Sequence, residues 1–355
     1  MKIVVLQDRL RLGGTEAQAL ALGNLWLGLG HDVRLIVFRP GGDLAESPAA
    51  KRLQPVILQR REMWVDWWAP GLDKNITALA PDVVVAFGRE ANAKLARLKK
   101  LSPRPLLVAT LRSGREQPAR YWHALRGADA IVANAQWATA AAIAQGVAKE
   151  KLHTIYSGII HEPLQGDPAT VRADWRQRAR TPDGAVVLLC VAGFRRGKGQ
   201  DLLLNAAARL PTDRPWQIWF AGDGPFLKTC KKIALSLKLK EQVRFTGKIA
   251  NPAQLYAAAD VGVMASVAEA LPNFLIEAQA AGLPVVSTVA GGTAECFEDG
   301  RTGLAVPSGE PAALAAALER AIRDADWRAA AKAPAQARVQ ERFDARRNAA
   351  KWIEL

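Results

Sequence analysis

Cysteine is scarce in this chain of 355 residues. The three cysteines, Cys190, Cys230 and Cys296, lie far apart and form no CxxC pair. A disulfide framework needs an even and denser set, and a zinc site needs ligands at closer spacing. The sequence therefore excludes a disulfide-stapled protein and favours a reducing compartment, which we expect to be the cytoplasm.

Long uninterrupted hydrophobic runs are also missing. The longest uncharged stretch, residues 130–148, is broken by Asn134, Gln136 and other polar residues. At the amino terminus, the apolar residues give way to Gln7 and Asp8 too soon for the core of a signal peptide. We therefore expect no membrane-spanning helix, and a protein that is at most peripheral to the cytoplasmic face of the inner membrane.

Positive charge dominates the sequence. Lys and Arg number 48 against 34 Asp and Glu, which gives a formal net charge of +14. Such a surplus predicts an anionic partner and leaves phosphate esters, nucleic acid and anionic membranes open. No recognition helix or aromatic RNA-binding motif is present, so nucleic acid is disfavoured.

The pattern of hydrophobic residues predicts an α/β protein. Short β-branched runs without polar alternation, which are typical of parallel strands buried on both faces, occur between Ala- and Leu-rich segments. The predicted strands of the first half are 3–6, 33–38, 83–87, 106–110, 130–133 and 152–156. Those of the second half are 186–192, 217–221, 243–245, 261–264, 284–287 and 303–306.

The length of the chain favours two domains. A polar stretch at residues 158–180 is the predicted linker between them. We therefore predict two Rossmann-like domains that face each other across a cleft, at 1–163 and 164–339. The helical tail, about 340–355, is expected to pack back on the first domain. Such sheets bind ligands beyond the carboxyl ends of their strands.

The segment from Glu269 to Glu277 carries the most chemical information. A Pro-Asn turn between the two acids opens a predicted helix, with Asn273 as its cap. The backbone amides of Phe274 and Leu275 are then free to bind a phosphate. Glu277 can accept two hydroxyl protons, such as those of a ribose diol, and Glu269 can reach another part of the same ligand. An ordinary helix with acidic residues near its start explains the spacing equally well.

The residues that follow, 278–304, favour a functional interpretation of the two glutamates. Residues 269–304 together resemble the EX7E region and the following G-x-P-V-V … G-G … E block of glycosyltransferase family 4, retaining enzymes with the two-domain GT-B fold. The resemblance covers residues 182–306 strongly and residues 1–160 weakly. It implies transfer of a sugar from a nucleotide diphosphate donor, with Glu269 orienting the sugar and Glu277 the ribose.

A glycine pair at the start of the first predicted helix also resembles a motif of glycosyltransferase family 4. Gly13 and Gly14 follow the first predicted strand and resemble the G-G-A-E loop of the family. Glycines at this position let the backbone approach a phosphate or sugar closely, although an ordinary tight turn remains an alternative. The loop is not a GxGxxG fingerprint, so a dinucleotide cofactor is disfavoured.

The loop at residues 193–199 resembles the diphosphate-binding loop of the family. There, Arg195 and Lys198 are expected to neutralise the leaving diphosphate. Gly193 occupies the usual position of the arginine, so Arg195 is assigned from its position two residues later. A solvated basic loop is the alternative interpretation.

Two further turns resemble parts of the nucleotide site. Gly222 and Asp223 belong to a segment similar to the A-G-x-G-P turn beside the nucleotide. Gly247 lies in a segment similar to the one that runs alongside the base. Ordinary turn glycines would give the same pattern at all of these positions.

One family feature is absent from the sequence. Many members carry a histidine near the end of a strand in the first domain, where it contacts the donor sugar. The corresponding residues, 108–113, contain none. We expect Arg112 or the backbone to make this contact, and His123 to lie at an exposed helix position.

A tryptophan-rich segment follows two arginines. Trp64, Trp67 and Trp68 come after Arg60 and Arg61. Tryptophans beside arginines suit a membrane interface or a carbohydrate platform. Core packing of one or two of these rings is as good an explanation.

Together, the sequence predicts a retaining glycosyltransferase that uses a nucleotide sugar, with UDP-sugar favoured over GDP-mannose. The expected acceptor is a glycan or glycolipid of the cell envelope, such as lipopolysaccharide core. We expect no metal or other cofactor, an anionic membrane surface as a partner, and no nucleic acid. The alternatives are a nucleotide-sugar epimerase of the same fold and a non-catalytic basic binding protein.

Overall fold

The chain divides into two compact units. The computed structural model describes residues 1–114, 117–159, 164–249 and 251–355. The amino-terminal unit comprises Met1–Ile160 with Asp344–Leu355, and the carboxyl-terminal unit comprises His161–Phe343. The predicted domain boundary at residue 163 lies outside the described residues.

The amino-terminal unit is built on a parallel sheet of seven strands in the order β3-β2-β1-β4-β5-β6-β7. Its strands are β1 (Lys2–Gln7), β2 (Asp32–Val37), β3 (Val56–Ile57), β4 (Val83–Phe87), β5 (Leu106–Leu111), β6 (Ala130–Ala133) and β7 (Leu152–Thr154). Its helices are α1 (Gly14–Gly28), α2 (Pro48–Arg52), α3 (Leu72–Leu79), α4 (Arg89–Leu98), α5 (Ala119–Arg126) and α6 (Gln136–Ala144). The strand order reverses between β1 and β4, so the crossovers from these strands leave in opposite directions.

The carboxyl-terminal unit repeats the plan with a parallel sheet of six strands in the order β10-β9-β8-β11-β12-β13. Its strands are β8 (Val186–Val191), β9 (Trp216–Ala221), β10 (Val243–Gly247), β11 (Val261–Met264), β12 (Val285–Val289) and β13 (Gly303–Pro307). Its helices are α7 (Pro168–Arg178), α8 (Gln200–Ala207), α9 (Leu227–Ser236), α10 (Ala253–Ala258), α11 (Asn273–Ala280), α12 (Pro311–Arg323) and α13 (Ala325–Arg342). Here the order reverses between β8 and β11.

Each predicted strand agrees with an observed one to within about two residues at either end. The β-branched runs are buried because helices cover both faces of a doubly wound sheet. The pattern missed only β3 among the described strands, since two residues are too few to give a period.

The predicted linker at 158–180 is wrong over its second half, because α7 lies within it. Asp167 caps this helix by accepting a hydrogen bond from the backbone of Thr170 at 2.9 Å. Arg172 and Arg176 both bind the carboxylate of Asp260, each at 2.6 Å. The helix is held by ion pairs and contributes no buried side chain, so it has no apolar stripe by which the sequence could reveal it.

The last helix, α14 (Ala345–Lys351), belongs to the amino-terminal unit. The indole of Trp26 on α1 donates a hydrogen bond to the carbonyl of Ala349 at 3.2 Å. The ring of Trp352 lies 5.8 Å from that of Trp26 and 6.1 Å from that of Phe87. Two aromatic contacts and a buried hydrogen bond therefore complete the core of this unit with residues from the end of the chain.

Within the described parts of the chain, no helix has both the length and the apolar character needed to cross a bilayer.

Candidate active site

Most of the residues predicted to act on the nucleotide sugar lie at one end of the carboxyl-terminal sheet. The loops that follow β8, β9 and β11 all leave the carboxyl ends of parallel strands, and β8 and β11 flank the reversal of strand order. At such a reversal, successive crossovers diverge and leave a crevice in which ligands bind. The fold therefore favours this edge of the sheet as a binding site.

Lys198 and Glu269 meet at this edge. Lys198 follows β8 and Glu269 follows β11, and the Lys198 Nζ lies 2.6 Å from the Glu269 Oε1. The side chains are 28% and 14% exposed. The sequence predicted both as site residues but did not predict their contact. A partly exposed ion pair of this kind presents a cation that an incoming anion can share.

Glycines bring the surrounding loops close together. Gly199 has φ +71°, and a Cβ at this position would lie 1.8 Å from the carbonyl oxygen of Ala265. Gly222 has φ +139°, and its Cβ would lie 2.2 Å from the carbonyl oxygen of Ala192. The N–H of Gly222 donates to the carbonyl of Gly247 at 2.8 Å. The loops after β8, β9 and β11 can therefore approach only with glycine at these points.

Helix α11 begins directly after the Glu269 loop, as predicted. However, its cap is Pro272, and Asn273 is already its first residue, so the predicted capping by Asn273 is wrong. No side chain accepts a hydrogen bond at this helix start, since proline in the cap position carries no acceptor on its side chain. The N–H groups of Phe274 and Leu275 lie in the first turn, where an α-helix offers them no partner. This start is therefore suited to bind an anion.

Glu277 lies one turn further along α11. Its Oε2 accepts a hydrogen bond from the hydroxyl of Tyr256 at 2.6 Å. Burial raises the pKa of Glu277, and the tyrosine hydrogen bond opposes this shift. The hydrogen bond fixes the carboxylate, and Oε1 accepts no hydrogen bond from another described residue, so the group can still accept a hydrogen bond from a ligand hydroxyl.

Two of the predicted residues make little contact with their surroundings. Arg195 is exposed and forms no ion pair with any described residue. Asp223 is also exposed, and its carboxylate accepts the N–H of Gly224 at 2.7 Å. Both lie in the connected loops after β8 and β9, where the N–H of Phe194 donates to the carbonyl of Asp223 at 2.9 Å.

Gly13 and Gly14 lie in the amino-terminal unit. Gly13 is the cap of α1 and Gly14 its first residue. A Cβ on Gly13 would lie 2.4 Å from the Glu16 Oε2, so the side chain of Glu16 folds over the start of its own helix. The predicted glycine loop therefore begins a helix, but a carboxylate already lies against that helix start.

A pocket of about 370 Å³ opens beside this helix at the carboxyl ends of β1, β4 and β5. Asp8, which follows β1, lines it and accepts hydrogen bonds from the backbone of Ala91 at 2.6 Å and of Glu90 at 3.2 Å. Desolvation raises the pKa of Asp8 to about 7, against the effect of these two bonds. The sequence interpretation missed Asp8. A polar residue directly after the first buried strand was the available indication.

Arg112, which follows β5, lines the same pocket. Its Nη2 donates to the hydroxyl of Ser157 at 2.7 Å, and its guanidinium lies 5.9 Å from the centre of the Phe87 ring. Burial lowers the pKa of Arg112 to about 10. His123 is exposed on α5, as expected. Over the described ranges, no group of three or more His, Cys, Asp or Glu residues is arranged to hold a metal ion.

Two family models match this chain one after the other. Residues 12–162 match glycosyltransferase family 4, and residues 171–338 match glycosyl transferases group 1. The chain belongs to the glycosyltransferase family that these two models describe together. The predicted resemblance is confirmed, and the matched regions include the predicted motifs of both units.

The glycosyltransferase chain is also similar to curated relatives over part of its length. It is 37% identical to the lipopolysaccharide core biosynthesis glycosyltransferase LpsE of Rhizobium meliloti (strain 1021) over 144 residues, which are 41% of this chain and 42% of the relative. It is 33% identical to D-inositol 3-phosphate glycosyltransferase 1 of Catenulispora acidiphila over 208 residues, which are 55% and 49%. The chain thus spans less than half the length of both relatives.

A solved structure resembles the glycosyltransferase over its whole length. Anabaena Alr3699/HepE in complex with UDP-glucose superposes with a TM-score of 0.86 at 24% identity, covering 100% of both chains. This likeness concerns the fold. The predicted fold class, two Rossmann-like domains of the GT-B type, is confirmed.

Proposed function

We propose that this glycosyltransferase moves a sugar from a nucleotide diphosphate donor to a hydroxyl of a cell-envelope glycan or glycolipid, with retention at the anomeric carbon. The observation that carries the proposal is the Lys198–Glu269 ion pair on the loops that lead to the uncapped start of α11. A UDP-sugar is the favoured donor, since the similar HepE structure contains UDP-glucose. GDP-mannose is the second choice.

In the proposed mechanism, the protein stabilises the leaving diphosphate. Lys198, Arg195 and the first amides of α11 supply positive charge and N–H donors where negative charge develops. Glu277 accepts hydrogen bonds from the ribose hydroxyls, and Glu269 orients the sugar. The leaving phosphate helps to deprotonate the acceptor on the same face of the ring. No metal is needed for these steps.

The acceptor is proposed from the relatives. The name of the Rhizobium protein assigns it to lipopolysaccharide core biosynthesis, and the name of the Catenulispora protein includes D-inositol 3-phosphate. A hydroxyl on a lipopolysaccharide core sugar is the acceptor that we favour.

A thermal-shift screen tests the donor. Binding of a ligand at about 100 times its Kd stabilises a protein by about 2.7 kcal/mol. We expect UDP to raise the melting temperature more than GDP or ADP, with and without EDTA. A shift that needs a divalent metal would contradict the metal-free mechanism, and a shift with none of the three would contradict donor binding.

Incubation with the nucleotide sugar and an acceptor extract tests the reaction. NMR of the products is expected to show a new glycoside with the anomeric configuration of the donor. Epimerised nucleotide sugar would instead support an epimerase. Binding without any product would support a non-catalytic binding protein.

We also propose that the tryptophan segment attaches the protein to an anionic membrane. Trp64 and Trp67 are 77% and 62% exposed. The guanidinium of Arg39 lies 5.5 Å from the Trp64 ring, and the Lys94 Nζ lies 5.9 Å from the Trp67 ring. Arg39 is itself paired with Glu62 and Asp66, so Lys94 is the cation beside these exposed indoles that suits an anionic interface. The wild type is expected to co-sediment with anionic liposomes at low salt. Loss of co-sedimentation in the double variant Trp64→Ala with Trp67→Ala would support the proposal, and no binding of the wild type would refute it.

A further inference from the structure

The pocket of the amino-terminal unit contains an arginine whose charge is not neutralised by any described carboxylate. Among the described residues, four arginines line it, and three of these have carboxylate partners. These pairs are Arg9 with Glu62 at 3.6 Å, Arg11 with Asp66 at 3.0 Å and Arg89 with Glu90 at 3.1 Å. Arg112 has no carboxylate within ion-pair distance among the described residues.

The contacts of Arg112 hold it in position without neutralising it. Ser157 accepts one hydrogen bond, and the Phe87 ring supports the guanidinium from one side. Its Nε–H is buried and donates to no acceptor in the described part of the chain. Arg112 is half-buried, and a buried N–H without an acceptor beside an unneutralised charge is unfavourable unless a ligand supplies the missing anion.

The position of the pocket also favours a ligand. Asp8, Gly88 and Arg112 follow β1, β4 and β5, and the strand order reverses between β1 and β4. Gly88 has φ +98°, and a Cβ there would lie 2.6 Å from the Asp8 Oδ2. The carboxyl group of Asp8 thus lies at the helix start that an anion would otherwise occupy. Arg112 is the arginine of the pocket without a carboxylate partner among the described residues.

We propose that this pocket binds an anionic oxygen group, a phosphate or a carboxylate, on the acceptor, and that Arg112 is its charge partner. The proposal rests on the proposed glycosyl transfer, and it narrows the acceptor to an anionic sugar. Arg112 recognises the anion through a planar guanidinium, which matches the geometry of both groups. The acceptor hydroxyls then contact the neutral and acidic groups of the same pocket.

Calorimetric titration with simple sugars tests the proposal. The probes are glucose 6-phosphate, glucuronate and neutral glucose, added to wild type and to Arg112→Gln. Lys198→Ala serves as a second background, because it weakens the diphosphate site of the other unit. We expect an anionic sugar to bind the wild type and Lys198→Ala alike, and at least tenfold more weakly to Arg112→Gln. Comparing the Kd of glucose 6-phosphate with that of glucuronate identifies whether a phosphate or a carboxylate is preferred.

Two further variants separate charge from packing. Arg104→Gln removes an exposed arginine that pairs with Asp129 at 3.2 Å before β5 begins, and it is expected to bind the probes as wild type does. Arg112→Lys keeps the charge and is expected to bind more tightly than Arg112→Gln. Equal losses in the lysine and glutamine variants would overturn the proposal.

Other results would overturn it as well. They are unchanged anion binding in Arg112→Gln, glucose binding as tight as that of the anionic sugars, and anion binding that is lost in Lys198→Ala alone. Nucleotide binding is measured separately by thermal shift. Its absence would refute the proposed donor reaction without affecting the result at Arg112.

Discussion

Replacing Lys198 by alanine is expected to weaken the binding of a nucleoside diphosphate by about 10- to 150-fold. A hydrogen bond to a charged group contributes about 1.5–3 kcal/mol, and about 1.4 kcal/mol is tenfold in Kd. The Lys198–Glu269 pair is partly buried. The free energy lost with the lysine should therefore exceed that of an exposed ion pair and fall short of that of a fully buried pair. Removing the lysine also leaves Glu269 to repel the phosphates.

Replacing Glu269, the partner of Lys198, is not expected to weaken the binding of the nucleoside diphosphate. In the free protein, Glu269 holds Lys198 at 2.6 Å, and an incoming diphosphate competes with that carboxylate for the same cation. Glu269→Gln is therefore expected to bind the nucleoside diphosphate as tightly as wild type, or up to about tenfold more tightly. Its turnover is expected to fall at least about tenfold, because the sugar loses the group that orients it.

Calorimetry with a nucleoside diphosphate and the matching monophosphate provides the measurement. The loss in Lys198→Ala should be larger for the diphosphate. Lys232→Ala, which removes an exposed lysine from α9, is the control and should bind as wild type does. The reasoning fails if Lys198→Ala changes the Kd less than threefold, or if Glu269→Gln weakens binding as much as Lys198→Ala.

Three further predictions concern single side chains and glycines. Glu277→Ala should cut kcat/KM at least about tenfold and abolish discrimination against 2′-deoxyribose donors. Tyr256→Phe, which removes only the hydrogen bond at 2.6 Å, should lower kcat/KM and the discrimination by less. Intact discrimination in Glu277→Ala would contradict the assigned contact. Gly222→Ala should lower the free energy of unfolding in urea by more than Gly247→Ala, because both have positive φ but only the first would clash; equal losses would show that strain alone matters. The pKa of Asp8 is raised to about 7, so the folded state binds more protons than the unfolded state between about pH 4 and pH 7, and stability falls as pH rises through this range. Wild type should therefore lose up to about 4 kcal/mol relative to Asp8→Asn between pH 4 and pH 8, and a constant difference between them would refute the shift.

The fold could be predicted from the sequence because its strands are buried on both faces. The continuous apolar runs at 83–87, 130–133 and 261–264 match β4, β6 and β11 residue for residue. Hydrophobic periodicity reports burial, and it fails where another interaction holds the element. Helix α7 is attached through arginines to Asp260, so its sequence looks like that of a linker.

The candidate site was predictable in its parts but not in its contacts. The motifs indicated Lys198, Glu269 and Glu277 as site residues. The ion pair between the first two joins loops 71 residues apart, a distance that no local pattern reports. The hydrogen bond from Tyr256 was likewise not predictable, since nothing in a tyrosine on α10 indicates that it will reach a glutamate on α11.

The pairing of Trp352 with Trp26 has a consequence for how the chain is made. The amino-terminal unit takes its last helix from residues that follow the whole carboxyl-terminal unit in the chain. A ribosome therefore delivers the second unit in full before it releases the residues that cover α1. During that interval the first unit has an unfinished apolar face, at a stage when early domains usually fold by themselves. Until α14 has been synthesised, Trp26 and Phe87 lack the ring contacts that Trp352 provides in the native state.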